Sequence, residues 1–337
     1  MAERTLTQRE LNRALLARQL LLERARLPIP RALERLGGIQ DQYAPNAYIR
    51  LWSCLDGFER DDLTRALERR SAIQGTLMRG TIHVVSRRDY WPLAVAIRGP
   101  QREWLLRTRR LTESELERQA DQLRRLLADG PRRADELSAA TRAWDPKLSL
   151  VRMPPSGTWE RRRANLIELA ERWVGPEDVD EDVACDHLVR RYLGAFGPAS
   201  PEDIAQWAGT KPRDLGAALE RLRLRRFRDE AGGELLDLPR APLPSADTPA
   251  PVRFLPTWDA VLLVHVRRAG VLPEEYRQRI FPTTMPQSIG TFLVDGAVAG
   301  TWRYDAGRVR WEAFAKLDRA SARAVEAEAE RLAAFHA

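Results

Sequence analysis

Lysine is almost missing from this chain of 337 residues: Lys147, Lys211 and Lys316 are the only three, so the formal charge of +7 rests on arginine. Cysteine is scarcer still. Cys54 and Cys185 stand far apart with no CxxC, and His83, His187, His265 and His336 are scattered, which excludes a disulfide framework and a cysteine–histidine zinc site. No metal and no small-molecule cofactor is expected. No apolar run of about 18 residues occurs, and the opening "MAERTLTQRE" is polar, so neither a membrane span nor a signal peptide is indicated. Absent too are GxxxxGK[ST], a GxGxxG after a strand, HExxH and GxSxG, which removes the common nucleotide-dependent, metallopeptidase and α/β-hydrolase chemistries.

What is present is 44% hydrophobic and 31% charged, the make-up of a folding globular chain long enough for two or more domains. A basic surface releases counterions from phosphate, so the charge points to nucleic acid; the competing reading is an arginine-rich codon bias that has replaced lysine throughout. Acid-rich stretches such as "RDD", "PEDVDEDVACD" and "SPED" fall at helix starts and in linkers, where carboxylates cap and solvate.

Helical spacing of Leu11, Ala14, Leu15, Leu16, Leu20 and Leu22 predicts a first helix from Thr7 to Arg24, capped by Thr5 or Thr7. A short "PRALERLGG" segment, a short strand "IQDQY", helices over "NAYIRLWSCL" (capped by Asn46) and "RDDLTRALERR", and a hairpin "IQGTLM", Arg79-Gly80, "TIHVVS" follow. Apart from the added short helix, this is winged-helix connectivity. "GPRRADELSAA" aligns without gaps to "GPASPEDIAQW", each after a helix, which suggests further such units. In the third, "RRFRDEAGGELLDL" holds a Gly-Gly hairpin suited to a wing. After a Pro-rich linker from Pro239 to Pro251, "TFLVDGAVAGTW" reads as strand, Asp-Gly turn, strand, and "RASARAVEAEAERLAAF" as a closing helix. The expected fold is mainly α with small β-sheets (α+β): winged helices at 1–100, 101–181 and 182–240 and a C-terminal β-containing region at 252–337. A generic helical protein with hairpins is the plainer alternative.

If "IQDQ" is a strand, Gln40 and Gln42 project from one face and Asp41 from the other. His83 would lie on the face of Thr81 and Val85, either as a satisfied structural histidine or as a neighbour of the glutamines. Trp258 reads as core and Asp259 as a helix cap.

The stretches "LERLGGIQDQYAPNAYIRLWSCL", "GTLMRGTIHVVSRRDY", "RRYLGAFGPASPEDIAQWAG", "RFLPTWDAVLLVHVRRAGVLPE" and "VDGAVAGTW" resemble, in order and over nearly the whole chain, the bacterial winged-helix family that includes the AlkZ-type DNA glycosylases. The resemblance implies a C-shaped monomer of three winged helices that removes N7-alkylated purines and unhooks interstrand crosslinks. It also implies a catalytic Gln-x-Gln motif, which falls on Gln40 and Gln42. Asp41 departs from the aliphatic or small middle residue usual there; with strand alternation it points away and is solvated or pairs with an arginine, and with a twisted motif it contacts the water itself. The partner would be double-stranded DNA carrying alkylated purines or crosslinks, and the location cytoplasmic, at the nucleoid. An N7-alkylated purine is already cationic and needs little protonation to leave, so orienting a water suffices, and amides can do this without a charge state to maintain. With no catalytic lysine in evidence, hydrolysis without strand cleavage is expected. Arg79 at the first hairpin turn and Arg225, Arg226 and Arg228 entering the third are the candidate phosphate contacts. The alternative is a non-catalytic winged-helix regulator, with Gln40 and Gln42 as an exposed strand edge or adenine-reading amides.

Overall fold

The computed structural model describes residues 4–266, 268–282 and 289–337. The chain opens with β1 (Thr5–Leu6), α1 (Gln8–Arg18), α2 (Ile29–Leu36), β2 (Ile39–Gln40), α3 (Pro45–Cys54) and α4 (Arg60–Glu68), then the hairpin of β3 (Ala72–Thr76) and β4 (Ile82–Ser86). There follow α5 (Arg87–Arg109), α6 (Glu113–Leu126), β5 (Arg132–Arg133), α7 (Ala134–Ala140), β6 (Leu150–Arg152), β7 (Leu166–Leu169) and α8 (Ala170–Trp173). Next come α9 (Glu181–Phe196), α10 (Pro201–Ala208), α11 (Gly216–Arg221) and the hairpin of β8 (Arg225–Asp229) and β9 (Glu234–Asp237). The last stretch holds β10 (Arg253–Leu255), α12 (Ala260–Leu263), α13 (Glu274–Ile280), β11 (Gly290–Val294), β12 (Ala297–Asp305), β13 (Arg308–Ala313) and α14 (Arg319–His336).

Local chemistry explains the element ends. Thr7 caps α1: its hydroxyl accepts from Glu10 N at 3.2 Å while the Glu10 carboxylate accepts from Thr7 N at 2.9 Å. The helix stops at Arg18, short of the expected Arg24, because Leu20 turns to a φ of 56°. Asn46 does not cap the next helix. Pro45 occupies its first turn, where a missing N–H costs nothing, and Asn46 is buried inside it with Oδ1 accepting from Thr257 Oγ1 at 3.0 Å. Gly37 and Gly38 both take positive φ, 73° and 82°, which ends α2 and swings the chain straight into β2. Asp295-Gly296 makes the turn between β11 and β12 with positive φ at both residues. The repeated Gly-Pro stretches place α7 after α6 and α10 after α9, and in each the residues before the second helix pair with a later strand: Arg132 and Arg133 with β7, Ala199 with Leu236.

The sheets are less separate than the sequence suggests. One six-stranded sheet runs β2-β4-β3-β6-β7-β5, so the ladder is continuous across the 100/101 boundary drawn from sequence. β1, β8 and β9 form a second sheet in which β1 runs parallel to β8, and β10 to β13 form a third. Leu15, Tyr90, Tyr192, Phe196 and Trp207 centre the largest core; Tyr48, Trp159, Phe254 and Phe292 centre a second, between α3, the third sheet and α14. Each such large apolar side chain contributes about 1.5–3 kcal/mol on burial. Between α1 and β9, Arg18 Nη1 and Nη2 meet the Asp237 carboxylate at 2.7 and 2.9 Å, with both side chains wholly buried. Cys54 is buried and Cys185 half-buried, both as free thiols. Among the described residues no helix is long and apolar enough to cross a membrane, and no group of His, Cys, Asp or Glu could hold a metal.

Candidate active site

β2 is the edge strand of the six-stranded sheet, with Ile39 opposite Val84 and Gln40 opposite His83. Asp41 N donates to Ile82 O at 2.7 Å, and there the backbone ladder ends. Gln42 is not part of the strand. Its Oε1 accepts from Ile82 N at 2.8 Å, taking with a side chain the donor that a continuing strand would have used, and the chain turns into α3 at Pro45. The two glutamines therefore do not form one strand face: Gln42 is exposed, while Gln40 is 7% exposed.

Gln40 is held from the β3–β4 turn. Arg79, at a φ of 56°, donates through Nη2 to Gln40 Oε1 at 2.6 Å and through Nη1 to Trp207 O at 2.9 Å. A non-glycine residue in the left-handed region marks a backbone that its surroundings over-determine. Here the opposing wall is Gly209, where a Cβ would sit 2.9 Å from the Arg79 backbone. The guanidinium expected to reach phosphate is thus turned inward and spent on two carbonyls, and burial pulls its pKa down to about 10, so it stays charged at neutral pH. Both glutamine carbonyls have fixed donors. Neither amide nitrogen has a protein acceptor among the described residues, and each carbonyl keeps a second lone pair.

His83 lies in the same cross-strand row as Gln40 and Gly75, 2% exposed, with Nδ1 3.0 Å from Thr81 O. Burial pushes its pKa down to about 3, helped by Arg79, so the ring is neutral and its Nδ1–H donates to that carbonyl. Its ring is thus held by the backbone of its own strand, in the row next to Gln40.

Asp41 does point away from Gln40, as strand alternation requires, but it neither meets solvent nor forms a close arginine pair. It is 1% exposed beneath the start of α3, accepting from Ala47 N at 3.2 Å and from Gln74 Nε2 at 2.5 Å. Burial raises its pKa to about 8, against the two donors and the more distant charge of Arg152. The carboxyl is therefore protonated at neutral pH. Gln74, on β3 opposite Val84 and Arg152, was not singled out from sequence, since a lone glutamine in "AIQGT" carries no signal without the register.

The arginines of the third hairpin are engaged within it. Arg225 lies 4.8 Å over the Phe227 ring with Nη1 donating to Pro239 O at 3.3 Å; Arg226 pairs with Glu234; Arg228 Nη1 donates to Gly232 O at 2.8 Å. They belong to the β1-β8-β9 sheet, not to the one carrying Gln40. The arginines next to the motif are others. The β6–β7 loop holds "TWERRRAN", and Arg162 Nη1 donates to the hydroxyl of Tyr43, the residue after Gln42, at 2.6 Å. Arg161 and Arg163 are exposed, with no side-chain hydrogen bond or ion pair among the described residues. The run of three arginines was a legible signal. A second basic surface, an open cleft of about 830 Å³, gathers Arg35, Arg223, Arg225 and Arg240.

At neutral pH the motif thus consists of two clamped amides, a neutral imidazole and a protonated carboxyl, with Arg79 as the adjoining cation. That set can orient a water by hydrogen bonds but has no group poised to exchange protons near pH 7. The family model described as DNA glycosylase AlkZ-like matches residues 33–335. Among solved structures, the Streptomyces sahachiroi DNA glycosylase AlkZ superposes with a TM-score of 0.83 at 19% identity, covering 98% of this chain and 97% of that one, a likeness of fold. No curated protein matches the sequence significantly.

Proposed function

Because the chain belongs to the AlkZ-like DNA glycosylase family, we propose that it hydrolyses the N-glycosidic bond of N7-alkylated purines in duplex DNA, with Gln40 and Gln42 positioning the water. The observation that carries this reading is the pairing of two amides whose carbonyls are anchored, by Arg79 and by Ile82 N–H, so that their free lone pairs and NH2 groups are fixed at the edge of the sheet. An N7-alkylated purine leaves as a neutral base, and positive charge shifts to the sugar as the bond breaks. A water held between two neutral amides meets that carbon without a general acid, and such catalysis is selective for labile, cationic lesions. A crosslink joining two purines through N7 presents the same bond twice, so its unhooking follows from the same chemistry.

In this reading the chain acts as a monomer of three winged-helix units that present their basic surfaces to the duplex. Arg161, Arg162 and Arg163 beside the motif and the cleft of Arg35, Arg223 and Arg240 supply phosphate contacts. With no lysine on the motif's elements, the product is an abasic site in an intact strand.

The test is a gel assay on a duplex with one N7-methylguanine, incubated with protein and then treated with mild alkali. Alkali-dependent cleavage at the lesion, and none without alkali, is the expected result. Tight binding to the duplex with no base release would return the chain to the role of a non-catalytic regulator.

A further inference from the structure

One residue past Gln42 the surface opens into a cavity of about 430 Å³ that the motif does not use. Its wall draws on distant parts of the chain, among them Tyr43 and Asn46 at the start of α3, Trp159 and Arg162 of the β6–β7 loop, and Tyr304 and His336 of β12 and α14. The size falls within the roughly 300–1,000 Å³ of small-molecule sites. The rings form a cluster around His336, with Tyr304 stacked on it at 4.2 Å and 15°, Trp159 at 5.2 Å and Trp302 at 6.1 Å. Tyr43 and Tyr304 remain 46% and 38% exposed.

Two polar atoms in this wall are buried without a partner among the described residues: Asn46 Nδ2, on a side chain 2% exposed, and His336 Nε2. Burying an amide donor unpaired costs about 1–3 kcal/mol, so such a donor in a cavity wall points to an acceptor brought by a ligand. Burial, with Arg162 and Arg60 nearby, pulls the His336 pKa down to about 4, so it offers a neutral ring nitrogen. Flat aromatic walls, an amide donor at depth and a cationic rim at Arg162 and Arg303 together fit a planar heteroaromatic ring attached to a phosphate backbone.

We infer that this cavity receives the purine of the lesion, extruded from the duplex, with Asn46 reading an acceptor on the base edge and Tyr304 and Trp159 lining its faces. The inference rests on the proposed base-release activity and adds to it the place where the base goes. Arg162 then has two tasks, since it also holds Tyr43 at the junction between the motif and the cavity. Asn46 and Tyr304 are specificity-determining contacts in this scheme; neither activates the water.

The experiment uses the full chain and free 7-methylguanine as probe, followed by saturation-transfer NMR, alongside single-turnover release from the N7-methylguanine duplex. The expected result is transfer to the base in the unaltered protein and in Gln42→Ala, which would still bind base while releasing it from the duplex roughly 10- to 100-fold more slowly. Tyr304→Ala and Asn46→Ala should bind the base roughly 5- to 100-fold more weakly. Because Asn46 is buried, its variant is accepted only with an unchanged melting temperature; the half-exposed Tyr304 is the second, independent probe. Base release by the unaltered protein without detectable base binding, or equal binding by Tyr304→Ala, would overturn the pocket and leave the glycosylase reading intact. Base binding without release from any N7-alkylated duplex would do the reverse.

Discussion

Replacing Asp41 by Asn should make the protein progressively more stable, relative to the unaltered chain, as pH rises. The folded carboxyl has a pKa raised to about 8 by burial, whereas in the unfolded chain it returns to about 3.9. Between those values the folded state binds a proton that the unfolded state has released, so Asp41 makes stability fall as pH increases through that window. Each pH unit costs about 1.4 kcal/mol, and the change from pH 5 to pH 7 is therefore about 3 kcal/mol. Other groups act with the opposite sign. His83 and His265, lowered to about 3, and His336, lowered to about 4, are neutral in the fold, but charge on unfolding below about 6.5, so their contribution is lost as pH falls. The raw pH profile mixes the two effects, and only the difference between the Asp41→Asn variant and the parent isolates one carboxyl. Asparagine is close to isosteric and can still accept from Ala47 N–H, while the Gln74 amide can turn to match it. The assay is urea unfolding of both proteins at pH 5, 6 and 7. The stability difference should shift by about 3 kcal/mol across that range in favour of the variant. A difference that does not change with pH would refute the protonated carboxyl, and with it the uncharged site.

Gln40→Ala and Gln42→Ala should each slow single-turnover base release by roughly 10- to 100-fold, and the double variant by less than the product, since both hold one water; full release by both single variants would remove the catalytic assignment, and Asp41→Asn should leave the rate nearly unchanged. Gln42→Ala should not alter the melting temperature, because Gln42 is exposed, whereas Gln40→Ala should cost about 1 kcal/mol by leaving Arg79 one acceptor short. Base release should be flat from pH 5 to pH 7, because His83 titrates below that range and Asp41 above it; a sigmoidal step inside it would reveal a general acid or base in the site. Arg161→Gln and Arg163→Gln should each reduce the log–log salt slope of duplex binding by about 1, while a triple replacement of Arg225, Arg226 and Arg228, which already have partners within their hairpin, should reduce it less; the reverse order would relocate the phosphate contacts to β8.

Much of the fold could be read from local chemistry. The Thr7–Glu10 box, the Asp-Gly turn at 295–296, the hairpins and the paired Gly-Pro repeats each involve residues a few positions apart, where composition and spacing carry the signal. The site was legible in identity and not in geometry. Gln40 and Gln42 stand out, but whether the strand continues past Gln40 depends on which group takes Ile82 N–H, and a side chain takes it. Asp41 looked solvated because nothing near it in sequence announces that α3 lies above it and Gln74 beside it. Arg79 looked like a phosphate ligand because a turn arginine usually is free, and only the packing of α10 and Gly209 against the turn directs it inward. The joining of β3 to β6 into one sheet is likewise a long-range pairing that no local pattern encodes.

The parallel pairing of β1 with β8 sets a schedule for the making of this protein. Thr5 and Leu6 leave the ribosome first, yet their partners Arg228 and Asp229 come more than two hundred residues later. At about 5–20 residues per second that is a wait of roughly 10–45 s. Arg18 waits about as long, since Asp237 is the only carboxylate that meets its guanidinium among the described residues. Throughout that interval Leu6 and Leu11 lack Phe227 and Leu235, the hairpin side chains that cover them, whereas Leu15 and Leu16 belong to the core shared with Tyr90 and Tyr192. The opening strand and the Leu11 side of α1 are therefore among the last parts to settle, and a ribosome stalled before β8 would release a protein whose first residues stay uncovered and open to proteases.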